Sequence, residues 1–317
     1  SCNSDGENTF NTGNQYVNQS VSAVPNYGFI AVLFAAFLWG TTGTVASFAP
    51  NLSPLAIGAA AMGGGGLLQA LLARKSIIYH LVHVKANAVM LGVGVIAVFI
   101  YPLAFYSSMH YAGITIGTVV SIGTAPLFTA LLERVFDRKA LSMTWLMSFV
   151  LGVTGVALLS LGESHAVATT EHLSQNRPML GIALGAVAGL TYALYSWAAK
   201  RMIDQGMDAK ASMGLIFGLG SLLLLPTLWI TGSNLFEENI NLYVVGYMML
   251  IPMFLGYVLF GYGLKTVPAS KAITLTLFEP LVAAVFAILL VGEQLAPIGW
   301  IGMVLISICL ALLTKAK

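Results

Sequence analysis

Of the twelve acidic residues, eleven fall in tails, connections or the ends of apolar runs, and Glu279 alone stands well inside one. Lys271 marks where that run begins, so the eight residues that follow, at about 1.5 Å each, place Glu279 about 12 Å deeper. A carboxylate near the centre of a bilayer costs roughly 2.5–3.5 kcal/mol on insertion scales, so it must face a cavity or carry a proton. Three kinds of chemistry are open to it. As a proton carrier it would couple transport to a proton gradient. As a counter-ion it would hold a solute ammonium. As a structural acid it would hydrogen-bond Thr276 one turn away, or a neighbouring helix opened by Pro280.

Rings accompany the acid. Trp39 lies twelve residues into the first apolar run, away from the interfacial belts where tryptophan normally sits. Tyr101 and Phe105 are spaced to share one helix face, as are Tyr192 with Tyr195 and Phe254 with Tyr257. A tyrosine in mid-membrane needs a partner for its hydroxyl, and a polar cavity supplies one. With Thr41 and Thr42 these side chains can line a semi-polar pocket suited to a planar or amphipathic solute rather than a bare ion; helix packing is the alternative for each taken singly.

Other chemistries find little support. The five histidines, 80, 83, 110, 165 and 172, lie in or beside connections, and His80 with His83 lacks a third metal ligand nearby. No Gly-x-Ser-x-Gly elbow is present, so no enzyme and no cofactor is expected. Gly63 to Gly66 are not followed by the Lys-Ser or Lys-Thr of a phosphate loop, and close helix approach explains them, with a gating hinge as the lesser reading. Glu133 and Arg134 close the fourth run, where snorkelling or pairing with Arg138 accounts for them. Glu293 reads as a helix-end acid or as part of an outer gate. Cys2 and Cys309 cannot form a disulfide framework.

The elements that must position these groups follow from composition. The chain has 317 residues, 58% hydrophobic and only 8% charged, whereas a soluble domain spends about a quarter of its residues on charge. Intrinsic disorder of the whole is excluded by the same figures, and a net charge of +2 is too small to suggest a nucleic-acid partner, so none is expected. About 20 apolar residues in a helix cross a bilayer. Ten such spans are predicted, at 27–49, 55–73, 87–109, 112–132, 143–161, 178–199, 211–231, 242–264, 270–291 and 296–314. Residues 1–26, rich in Asn, Ser and Gly, read as a disordered tail.

Charge gives the threading. Of fourteen Lys and Arg residues only Arg177 falls in an odd-numbered connection, so both termini are expected in the cytoplasm. Sliding the chain by 154 residues sets Pro126 on Pro280, Leu127 on Leu281 and Ala130 on Ala284, and a shift of 153 sets Gly28 on Gly181 and Trp39 against Tyr192. Five spans per copy is an odd number, so the second copy must enter from the opposite side. Basic connections in the first half accordingly correspond to acidic or neutral ones in the second, with Glu237 and Glu238 where Arg74 and Lys75 would map. The expected fold is an all-α polytopic membrane protein of ten helices in two inverted five-helix repeats, 27–161 and 178–317, joined by a periplasmic linker at 162–177.

Leu38-Trp39-Gly40-Thr41, then Phe278-Glu279-Pro280 and Gly292-Glu293, set in two five-span repeats, resemble the drug/metabolite transporter superfamily, and its EamA-domain branch most closely. In the first half the matching positions read Ala125-Pro126 and Arg138-Lys139, so that copy lacks both acids. The resemblance implies a secondary transporter of the bacterial inner membrane that exports an amino acid or related small metabolite. The partners it implies are that solute and the lipid bilayer, with the chain a monomer or weak homodimer. A facilitative channel or uniporter without ion coupling, and a drug or amine efflux carrier, are the alternatives.

Overall fold

In the computed structural model the described residues are 27–112, 114–166 and 177–315. The expected N-terminal tail, and most of the expected linker (167–176), lie outside them. Among the described residues, ten helices are long and apolar enough to cross a membrane. They are α1 (Tyr27–Ala46), α2 (Pro54–Leu72), α3 (Ala88–Ala112), α4 (Ile116–Phe136), α5 (Met143–Glu163), α6 (Pro178–Asp204), α7 (Ala209–Thr231), α8 (Asn239–Leu264), α9 (Ala269–Val291) and α10 (Pro297–Lys315). The helical ladder satisfies most of their backbone groups within each segment, as hydrocarbon surroundings demand.

The connection after α2 is itself helical, Arg74–Val84, with a well-exposed surface that carries His80 and His83. Its mixture of basic and apolar residues fits the membrane–water boundary.

Helix pairing follows one rule. α3 and α4 pack on α6, as α8 and α9 pack on α1; α2 packs on α7, α5 on α10 and α4 on α9. Exchanging the first five helices for the last five, in order, returns the same set of pairs. Two bundles result: α3, α4 and α6 form one, and α1, α8 and α9 the other. The glycine run at 63–66 lies in the α2 contacts with α7 and α8, as close approach requires. A Cβ on Gly65 would come 2.9 Å from the backbone carbon of Met253, and one on Gly66 would strike the Phe217 carbonyl.

Two of the local irregularities bear on the interior, both at prolines. α8 widens into a π-helical segment over Met249–Gly256, around Pro252. α9 breaks between Leu275 and Phe278. Pro280 has no N–H for the Thr276 carbonyl, which accepts instead from Glu279 N at 2.9 Å. The tightened turn sets Glu279 at the first turn of the helix that resumes.

Glu133 departs from expectation. It neither snorkels nor pairs with Arg138; it is 5% exposed and bound to Ser270 of α9. Glu293 is exposed in the α9–α10 connection.

Candidate functional site

The irregularities at Pro252 and Pro280 face one cavity, which encloses about 730 Å³ of empty space, its opening included. Its wall takes Trp39 and Thr42 from α1, Tyr101, Phe105 and Tyr106 from α3, Tyr192 and Tyr195 from α6, Tyr257 from α8, and Thr276 and Glu279 from α9. Ile57, Gly58, Ala61 and Met62 of α2, Pro102 of α3, Ile122 of α4, and Met248 and Met253 of α8 complete it. These positions run from mid-depth toward the face opposite the basic one, because they occupy the end of α1, the start of α2 and the later half of α3.

The π turn explains how α8 contributes. A π segment releases carbonyls from the α-helical ladder, and two of them are taken up across the interface. Trp39 Nε1 donates to the Pro252 carbonyl at 2.8 Å, and Gln69 Nε2 donates to the Met253 carbonyl at 3.2 Å. Trp39, 5% exposed, then lies with its ring centroid 4.8 Å from that of Tyr257 and 5.5 Å from that of Phe260.

Toward the basic face the cavity ends on a floor that joins the two bundles. Tyr195 Oη and Tyr257 Oη share a hydrogen bond at 2.9 Å, as do Tyr192 Oη and Thr276 Oγ1. Phe217 packs beneath with its ring 4.4 Å from Tyr257, and Tyr195 and Phe217 are each 1% exposed. Tyr101 meets Phe105, Tyr192 and Tyr195 at centroid separations of 5.8, 5.6 and 5.7 Å, so the rings form one continuous surface.

Glu279 is partly buried in this wall. Its carboxylate makes no hydrogen bond or ion pair among the described residues. The expected bond to Thr276 is not formed, because that hydroxyl donates to the Ile273 carbonyl at 2.6 Å and engages Tyr192. The hydroxyls of Tyr101 and Tyr106 likewise make no hydrogen bond among the described residues. One acid and two hydroxyls are therefore free to bond whatever enters.

Eight of the ten residues singled out from the sequence line the cavity: Trp39, Thr42, Tyr101, Phe105, Tyr192, Tyr195, Tyr257 and Glu279. Thr41 does not. Its hydroxyl meets Tyr247 Oη at 2.8 Å and the Leu38 carbonyl at 2.7 Å, tying α1 to α8. Phe254 is also absent from the wall. It sits in the π segment, where each turn takes more residues than an α turn, so it does not share the face of Tyr257. Tyr106 and Thr276 were missed as wall residues. Tyr106 follows Pro102 by four residues, and Gly58 opposite leaves room for its ring: a Cβ there would come 2.5 Å from Tyr106 Cε2. A kinking proline one turn before a tyrosine is the signal that pointed to it.

The chain resembles known transporters over most of its length. It is 32% identical over 289 residues to "Uncharacterized transporter YwfM" of Bacillus subtilis (strain 168), covering 90% of this chain and 93% of that one. To "Uncharacterized inner membrane transporter YedA" of Escherichia coli (strain K12) it is 24% identical over 300 residues, 93% of this chain and 92% of the relative. A crystal structure 16% identical in sequence superposes with a TM-score of 0.71, covering 90% of this chain and 95% of its own, which shows a shared fold. The EamA-like transporter family matches twice, at residues 26–161 and 179–315, and this multi-pass membrane protein belongs to that family.

Proposed function

We propose that this chain carries a small organic solute across the inner membrane by alternating access between two inverted five-helix repeats, with an amino acid or related metabolite as solute and export as the direction. One observation carries the reading: a ring-walled cavity at mid-depth holds Glu279 and the hydroxyls of Tyr101 and Tyr106 without partners. A carboxylate in such surroundings attracts an ammonium group, and aromatic faces accept both a cation and an apolar side chain. An amino acid or small amine offers both parts. The pairing of helices, unchanged when the halves are exchanged, fits an inverted repeat with its site between the halves.

The cavity is closed toward the basic face by the tyrosine floor, so the conformation is outward-facing if basic connections lie in the cytoplasm. Glu279 is then the group through which a proton can be exchanged for solute. It has no protein partner to displace.

Purified protein in proteoliposomes tests the reading. Saturable uptake of a labelled amino acid or amine, accelerated by unlabelled solute on the far side, is the expected result. Unsaturable flux or ion conductance would overturn the carrier reading in favour of a channel.

A further inference from the structure

Helix α8 ends at Leu264 and α9 begins at Ala269, and Pro268 lies between them. Were α8 to continue, the Leu264 carbonyl would accept from the amide four residues on. That residue is Pro268, which has none. Pro268 is also the N-cap of α9, where it offers no side-chain oxygen to the free amides of the first turn. A single proline thus leaves one acceptor bare before the turn and one donor bare after it.

Both are satisfied from the opposite bundle, and both by charges. Lys200 Nζ of α6 donates to the Leu264 carbonyl at 2.6 Å. Glu133 of α4 accepts from Ser270 N at 3.0 Å and from Ser270 Oγ at 2.6 Å. Each sign suits the end it meets, a cation at a helix C-terminus and an anion at an N-terminus. Lys200 is 8% exposed and Glu133 5%. The only other partner of Lys200 among the described residues is the half-exposed Asp204 on its own helix, at 3.1 Å.

These contacts join the bundle of α3, α4 and α6 to the bundle of α1, α8 and α9 at the basic face, beneath the tyrosine floor. Resting on the alternating-access reading above, we propose that Glu133 and Lys200 latch the cytoplasmic side of the carrier shut by gripping the two helix ends at Pro268. Charges suit a joint that must reopen. When the bundles part, both ions exchange a helix end for water, so the bonds lost are largely replaced by hydration. An apolar seal offers no such compensation.

The test is a distance measured across the latch. Spin labels at Lys139, in the α4–α5 connection, and Thr266, in the α8–α9 turn, are attached to the full chain in a Cys2→Ser, Cys309→Ala background, reconstituted in liposomes without solute. The short distance should dominate in the otherwise unaltered protein. In Glu133→Ala/Lys200→Met the ratio of long to short distances should rise about tenfold or more, the change that about 1.4 kcal/mol produces. Ser270→Ala, which keeps the amide bond, should give a smaller rise, and Lys200→Arg should restore the short distance. An unchanged distribution in folded protein, with only a lower melting temperature, would overturn the latch and leave both residues structural. Should the double variant not fold, Glu133→Gln and Lys200→Met singly are read by the same criterion. Solute flux through the unaltered protein is scored separately, so failure of the carrier reading is told apart from failure of the latch.

Discussion

The indole N–H of Trp39 donates to the Pro252 carbonyl at 2.8 Å, so a ring of α1 is pinned to the π segment of α8 at its proline. The contact makes Trp39 both a wall of the cavity and a brace of the π turn. A Cβ added to Gly256 would come 2.5 Å from the same indole nitrogen, which leaves the ring no room to shift toward α8. Trp39→Phe keeps a ring and removes the donor, and should lower stability by about 1 kcal/mol, near the usual worth of an interhelical hydrogen bond in membranes. Trp39→Ala empties the site and should cost roughly 3–5 kcal/mol. Thermal melts in detergent separate the two.

The floor can be dissected by a double-mutant cycle. Tyr195→Phe and Tyr257→Phe each break the same 2.9 Å bond, so the second substitution should cost little once the first is made. A coupling energy of about 0.5–1.5 kcal/mol in melts is expected. Additive losses would mean that the two hydroxyls do not depend on one another.

Glu279→Gln preserves shape and removes the charge. Binding of ammonium-bearing solutes should weaken by about tenfold or more, an effect of at least about 1.4 kcal/mol. Counterflow in proteoliposomes should also cease to respond to an imposed pH gradient. If affinity and pH response both match the unaltered protein, Glu279 is structural.

The glycine run offers a contrast within a single turn. The atoms nearest a Cβ on Gly64 belong to the flexible side chain of Met249, whereas one on Gly66 meets the Phe217 backbone. Gly64→Ala should therefore be tolerated, and Gly66→Ala should destabilise by roughly 1–3 kcal/mol. Equal melting temperatures would argue against close packing of α2 on α7.

The spans were readable because a bilayer asks for one thing that composition reveals directly, a long apolar run. The ends were less so. The fourth helix was expected over 112–132 and runs Ile116–Phe136, since Glu133 counted as a charge that should stop it. Its carboxylate is in fact satisfied by Ser270, a residue 137 positions away, and no local pattern announces such a partner. The helix Arg74–Val84 is hard to read for a related reason: its mixed basic and apolar residues make neither a full apolar run nor a polar loop. Within the cavity, pairs at α-helical spacing were legible on α3 and α6, which are regular there. Phe254 was misplaced because the same spacing means something else across a π turn.

Most hydroxyls around the cavity are already spoken for by their own or neighbouring helices, and among the described residues the wall keeps only Tyr101, Tyr106 and Glu279 free to bond a visitor. A sugar would surrender many water contacts on entry and recover few, so polyols should be disfavoured by hydration cost rather than by size. Flat, sparsely hydrated amines lose little and gain the rings. The chamber would thus sort its cargo by thirst, and a panel of equally bulky solutes should rank by how tightly each holds its water.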